Sequence, residues 1–128
     1  MPAVTTEVVV GRLADFPAGT HKVVEAAGRE IGVFNIDGRF YGLPNLCPHQ
    51  TGPLCEGRTV TGTLAADRDS GWKPRWVMQG EVIACPWHGL EYRVPTGRCL
   101  AYPAITLRRY PVTVRGADIV VTVGGRRR

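Results

Sequence analysis

Cys47-Pro48-His49 and Cys85-Pro86-Trp87-His88-Gly89 are the two short runs around which the rest of the chain is organised. Each offers one thiol and one imidazole, with a proline beside its cysteine. Thiolate and imidazole together suit zinc or iron and sulfur, not magnesium or calcium. Proline removes a backbone donor and fixes φ, so each run reads as a stiff loop presenting two ligands. Taken singly, His49 is an ordinary surface histidine and Cys85 an ordinary buried thiol. Two such pairs in proline-bearing loops point instead to a metal centre enclosed between them. On the residues alone, a zinc site with the same four ligands stands beside an iron–sulfur site.

The asymmetry of the pair, C-x-H followed by C-x-x-H-G, resembles the Rieske iron–sulfur signature. The run Cys47-Pro48-His49-Gln50-Thr51-Gly52-Pro53-Leu54 carries the likeness further, and it extends from about Val8 to Val123. The resemblance implies that Cys47 and Cys85 hold the inner iron of a [2Fe–2S] cluster and that His49 and His88 hold the outer one. It implies an antiparallel β-barrel or sandwich with a small cluster-binding subdomain at about 43–96. Gly52, Pro53 and Gly89 are then residues that let the loops approach the cluster, with backbone amides toward the sulfides, and Trp87 is packing around it. Neutral imidazoles on the outer iron make reduction easier than four thiolates would, and their second nitrogens can make the potential depend on pH.

Two departures from the family pattern matter. The spacing between His49 and Cys85 is longer than usual, which places an inserted hairpin at about 59–80. Its central part holds Asp67, Arg68, Asp69, Lys73 and Arg75 with Trp72 and Trp76. That composition fits either a solvated hairpin tip or a flap that docks a partner or shields the cluster, since tryptophan and arginine favour interfaces. Second, Gly52 and Trp87 occupy the positions where respiratory-complex relatives carry a disulfide between the loops. Leu90 stands where those relatives place a serine donor, although Tyr92 matches their tyrosine. Fewer hydrogen bonds to the cluster leave its reduced form less stabilised. The expected potential is therefore near the low end of a Rieske range of roughly −150 to +300 mV.

Composition sets the frame. A chain of 128 residues with 44% hydrophobic content suits one compact domain that buries roughly two thirds of its unfolded surface. No run of 18 apolar residues occurs, so no membrane span is expected. Met1 to Val10 has neither a basic flank nor an apolar signal core, which makes a cytoplasmic location the expectation. Cys55 and Cys99 lie outside the motif and read as small buried or half-buried thiols. The formal charge is +5, with three of the basic residues in Arg126-Arg127-Arg128, best taken as a solvated tail. Outside the short run Trp72–Trp76, aromatic residues are not interleaved with basic ones, and no nucleic-acid partner is expected.

Strands are expected at Thr5–Val10, His21–Ala27 and Glu30–Ile36. Asp37-Gly38 is a strong hairpin signal, folding Arg39–Leu43 back before Pro44. Arg58–Leu64 should pair with Trp76–Ala84, which delivers Cys85. Tyr92–Val94, Ile105–Tyr110, Val112–Arg115 and Asp118–Val123 complete the set, with Leu13–Gly19 as a loop. No twelve-residue segment shows a helical period, so the chain reads as all-β, a small antiparallel barrel or sandwich.

With one redox motif and no nucleotide-binding glycine loop, the chain is expected to be a stand-alone Rieske ferredoxin. It would carry one electron from a reductase to a terminal oxygenase, being too short for the catalytic iron domain of the oxygenases themselves. The alternatives are a small subunit of a larger oxidoreductase, similar to that of nitrite reductase, and a zinc-stapled binding module.

Overall fold

The computed structural model describes residues 5–46, 53–56, 60–66, 68–69, 71–86 and 89–124. Its strands are β1 (Thr5–Arg12), β2 (His21–Ala26), β3 (Arg29–Ile36), β4 (Arg39–Pro44), β5 (Val60–Ala65), β6 (Arg75–Ala84), β7 (Glu91–Arg93), β8 (Arg98–Cys99), β9 (Val112–Arg115) and β10 (Asp118–Gly124). Two short 3₁₀ turns, Leu13–Asp15 and Leu54–Glu56, interrupt them. The protein is all-β, and its described strands pair antiparallel in three sheets, ordered β1-β10-β9, β2-β3-β4 and β5-β6-β7-β8. No helix among the described residues is long and apolar enough to cross a membrane.

Strand β3 explains how these sheets share an interior. Ile31 to Asn35 are all buried, which a strand covered on both faces requires. Side chains alternate across a strand. Ile31 and Val33 therefore enter one core with Phe16, Ala26, Ile119, Val121 and Val123. Phe34 enters the other, with Leu43, Leu54, Cys55, Ile83, Cys85, Tyr92, Val94, Cys99 and Leu107. The first core lies under β10 and the second under the sheet that leads to Cys85.

The hairpins on either side of β3 follow from local sequence. Ala27-Gly28 and Asp37-Gly38 all have positive φ, at 50°, 78°, 53° and 86°. That pair of left-handed residues defines the two-residue turn whose twist matches the flanking strands. Asn35 reinforces the second turn. Its Oδ1 accepts from the Gly38 N–H at 2.8 Å, and its Nδ2 donates to the Phe16 carbonyl at 2.7 Å.

At the outer sheet, Arg115 reaches across β10 and donates twice to the Glu7 carboxylate, at 2.8 and 2.6 Å. This bidentate contact, with the arginine's charge second, holds the Glu7 carboxyl below its ordinary range and raises the Arg115 guanidinium.

One expectation needs correction, and two features were not anticipated. Ile105–Tyr110 is not a strand. Its backbone bonds go to separate partners: Ile105 O accepts from Cys99, Leu107 N–H donates to Gly97 O, and Tyr110 N–H donates to Gly42 O. With only isolated bridges at Thr106 and Tyr110, the segment is a connector passing between two sheets. The two-residue strand β8 has no counterpart in the sequence reading. Finally, β5 and β6 do pair, but β6 is bent: the register runs Thr61↔Val82 and then Thr63↔Val77. Met78 and Gly80 take left-handed φ of 55° and 75° to absorb the extra residues.

Candidate metal centre

Cys85 leaves the end of β6, where Ile83 pairs with Tyr92 and Ala84 with Glu91 on β7. The Cys85 N–H donates to the Leu90 carbonyl at 2.9 Å, and the Gly89 N–H donates to the Cys85 carbonyl at 2.8 Å. One residue thus closes both sides of the neck below Pro86 to Gly89. Gly89 has φ +71°, a conformation that costs other residues a Cβ clash. That is what the glycine supplies here. Its amide is spent on the Cys85 carbonyl, so the expectation that it points toward a sulfide is corrected. The Cys85 side chain is 1% exposed and lies in the second core.

The first loop is held from both shoulders. It leaves β4 after Pro44, passes through buried Asn45 and exposed Leu46, and is resumed at Pro53 and the Leu54–Glu56 turn. The Cys55 N–H donates to Asn45 Oδ1 at 2.7 Å. Asn45 in turn donates its N–H to the Glu30 carbonyl at 3.0 Å and its Nδ2 to Glu30 Oε1 at 3.2 Å. The Cys55 thiol lies 3.5 Å from the Pro44 carbonyl and 3.7 Å from that of Leu43. Leu43, Leu54 and Cys55 belong to the same core as Cys85. The necks of the two loops therefore rest on one packed base.

Of the four expected ligands, the structure places Cys85. Cys47, His49 and His88 lie outside the described residues, as do Gly52 and Trp87. Accordingly, no three His, Cys, Asp or Glu side chains converge among the described residues. Cys55 and Cys99 are buried thiols, as expected. Tyr92 is fully buried in the core of Cys85, and Leu90 packs against it. The sequence reading missed Asn45 and Glu30. The available signal was faint, a single polar residue in the run Leu43-Pro44-Asn45-Leu46.

The donor chemistry fits an iron–sulfur group. The Cys85 thiol, excluded from water within an apolar shell and with its own backbone N–H and carbonyl bonded, suits soft-metal ligation. An all-β frame that carries such a thiol at the end of a strand fits a small iron–sulfur protein. The Rieske [2Fe-2S] domain model matches residues 6–111, and the chain belongs to that family, whose prosthetic group is a [2Fe–2S] cluster.

Particular relatives agree. The chain is 26% identical over 110 residues to the ferredoxin component of the naphthalene 1,2-dioxygenase system of Pseudomonas aeruginosa, covering 85% of this chain and 88% of that one. It resembles the solved ferredoxin of carbazole 1,9a-dioxygenase from Nocardioides aromaticivorans IC177 at 27% identity and a TM-score of 0.66, covering 91% and 96% of the two chains. It also matches a chain in the complex of reduced oxygenase and oxidized ferredoxin of carbazole 1,9a-dioxygenase. There the identity is 25% and the TM-score 0.68, over 90% and 91% of the chains.

Proposed function

We propose that this Rieske chain is a one-electron shuttle that accepts from a reductase and delivers to a terminal oxygenase. In it, Cys47 and Cys85 hold the inner iron, and His49 and His88 the outer iron. The bound cluster supplies a site that gains and loses a single electron. The chain's own residues supply the rest. The doubly bonded neck at Cys85 fixes one thiolate donor, and the apolar core of Tyr92, Cys99 and Leu54 keeps water from it. The shoulders at Asn45 and Cys55 fix the entry and exit of the other loop.

The observation that carries this reading is the buried Cys85 thiol, on a base shared with both shoulders of the first loop. The ferredoxin names of its relatives favour the partner pair. Residues 43–96 form the cluster-binding part in this reading, with 59–80 as an inserted hairpin, and the chain works in the cytoplasm beside soluble partners.

The test is rapid mixing under anaerobic conditions. Holoprotein is reduced by a flavoprotein reductase and a reduced nicotinamide, then mixed with an oxidised Rieske oxygenase. Reduction and reoxidation of one electron per chain supports the shuttle. A holoprotein that neither partner class can reduce or oxidise overturns it.

A further inference from the structure

We propose that Asn45 is a positioning residue for the cluster's first loop, acting by locking the residue before that loop to the residue after it. The inference rests on the reading above that Cys47 and His49 are ligands. Asn45 is polar yet only 7% exposed. A buried amide is costly unless its donors and acceptor are paired; two bonds engage the Asn45 side chain and a third its backbone. Oδ1 accepts from the Cys55 N–H, Nδ2 donates to Glu30 Oε1, and the backbone N–H donates to the Glu30 carbonyl. The first of these ties position 45 directly to position 55, so the chain between them forms a loop closed at its neck. The other two fasten that neck to β3, the strand both cores share.

Cys55 makes the lock rigid. It is 1% exposed and packs in the core that holds Cys85. Gly32 on β3 leaves the space it fills, since a Cβ there would overlap the Cys55 Cβ and Sγ. The neck of the first loop is therefore registered against the neck of the second through packed side chains. Partners behind metal ligands set ligand orientation, and their loss typically costs about 10–100-fold in metal affinity.

The other buried asparagine in the described structure is an internal control. Asn35 is 6% exposed and also makes two side-chain bonds to backbone, but it braces a turn at Asp37-Gly38 rather than a ligand loop.

The test compares wild-type holoprotein with Asn45→Ala, Asn35→Ala and the double variant N45D/E30Q. Cluster loss is followed by visible bleaching under a chelator. Reduction potential is read by voltammetry, and the reduced cluster by electron paramagnetic resonance. Asn45→Ala leaves the buried Cys55 N–H without its acceptor. It should speed cluster loss about tenfold, shift the potential and broaden the reduced-state spectrum. Asn35→Ala should lower the thermal midpoint while leaving potential and spectrum unchanged. In N45D/E30Q the Asp carboxylate accepts from Cys55 and the Gln amide replaces the lost donor, so cluster retention and the reduced-state spectrum should return toward wild type. The potential is not a rescue readout for this variant, because it moves a negative charge from exposed Glu30 to buried position 45. If Asn45→Ala yields no folded protein, the double variant decides. Wild-type cluster retention and spectrum support the lock, and loss and spectrum that stay altered overturn it. A wild type with its two-histidine cluster, but with Asn45→Ala indistinguishable from Asn35→Ala, overturns the inference alone. A wild type without such a cluster overturns the proposed function first and this inference with it.

Discussion

Replacing Gly32 by alanine should destabilise the protein, chiefly by a clash with Cys55. Gly32 lies in the buried middle of β3, and its φ is not left-handed, so backbone strain is not the issue. A Cβ built there lies 2.5 Å from the Cys55 Cβ, overlaps the Cys55 Sγ, and sits 3.1 Å from Phe34 Cε1. Either β3 or the Leu54–Glu56 turn must shift. Overpacking of this kind costs about 1–3 kcal/mol. At about 2.1 cal/mol/K per residue, an unfolding entropy near 0.27 kcal/mol/K is expected for 128 residues. The predicted fall in thermal midpoint is therefore about 4–11 °C, read by circular dichroism at one fixed scan rate. The geometry also predicts which second change relieves it. Cys55→Ala removes the Sγ overlap but keeps the Cβ contact and should rescue Gly32→Ala only in part, whereas Cys55→Gly removes both atoms and should lower the cost of the Gly32 substitution further. Gly32→Ala with an unchanged midpoint, or equal rescue by both Cys55 variants, would refute the packing argument.

Three further outcomes follow from the site and the surface. Cys85→Ser should abolish the visible absorption of the bound cluster while Cys99→Ser retains it, checked by iron content and absorbance of the purified proteins; iron loss in both would remove the distinction between ligand and core thiol. Arg115 depresses the Glu7 carboxyl below its ordinary 4.5, so the pair's contribution is fully present above that value and lost as pH falls through the lower folded-state value. The stability gap between wild type and Glu7→Gln should thus persist at neutral pH, shrink below about pH 4.5, and narrow in high salt, measured by denaturant midpoints across pH. With Leu90 in place of a hydroxyl donor, the reduction potential should fall near the low end of roughly −150 to +300 mV; a value well into the positive region would contradict the tuning argument.

The sequence was most legible where one residue pair decides a backbone shape. Asp37-Gly38 announces its hairpin because few residues take two left-handed positions in succession, and the strands on either side follow. The end of β6 at Cys85 and the return at Gly89 were legible because proline and glycine follow the cysteine within five residues. Ile105–Tyr110 misled because its residues favour strands, while its real burial, at Leu107 and Tyr110, falls three residues apart rather than two. That spacing is set by the two sheets it joins, which no local window contains. The bend at Met78 and Gly80 was hidden for the same reason, inside a run rich in strand formers. Asn45 lay beyond reach because its role depends on Cys55 and Glu30, which tertiary packing brings to it.

The central claim is that two cysteines and two histidines share one iron–sulfur pair. Its most direct test is pulsed electron paramagnetic resonance of the reduced protein, prepared anaerobically with iron and labelled with ¹⁵N-histidine, alongside iron and acid-labile sulfide assays. The account predicts two irons and two sulfides per chain, with hyperfine coupling to two histidine nitrogens that is lost on replacing His49 or His88. A colourless zinc protein, or a cluster showing no histidine nitrogen coupling, would contradict it.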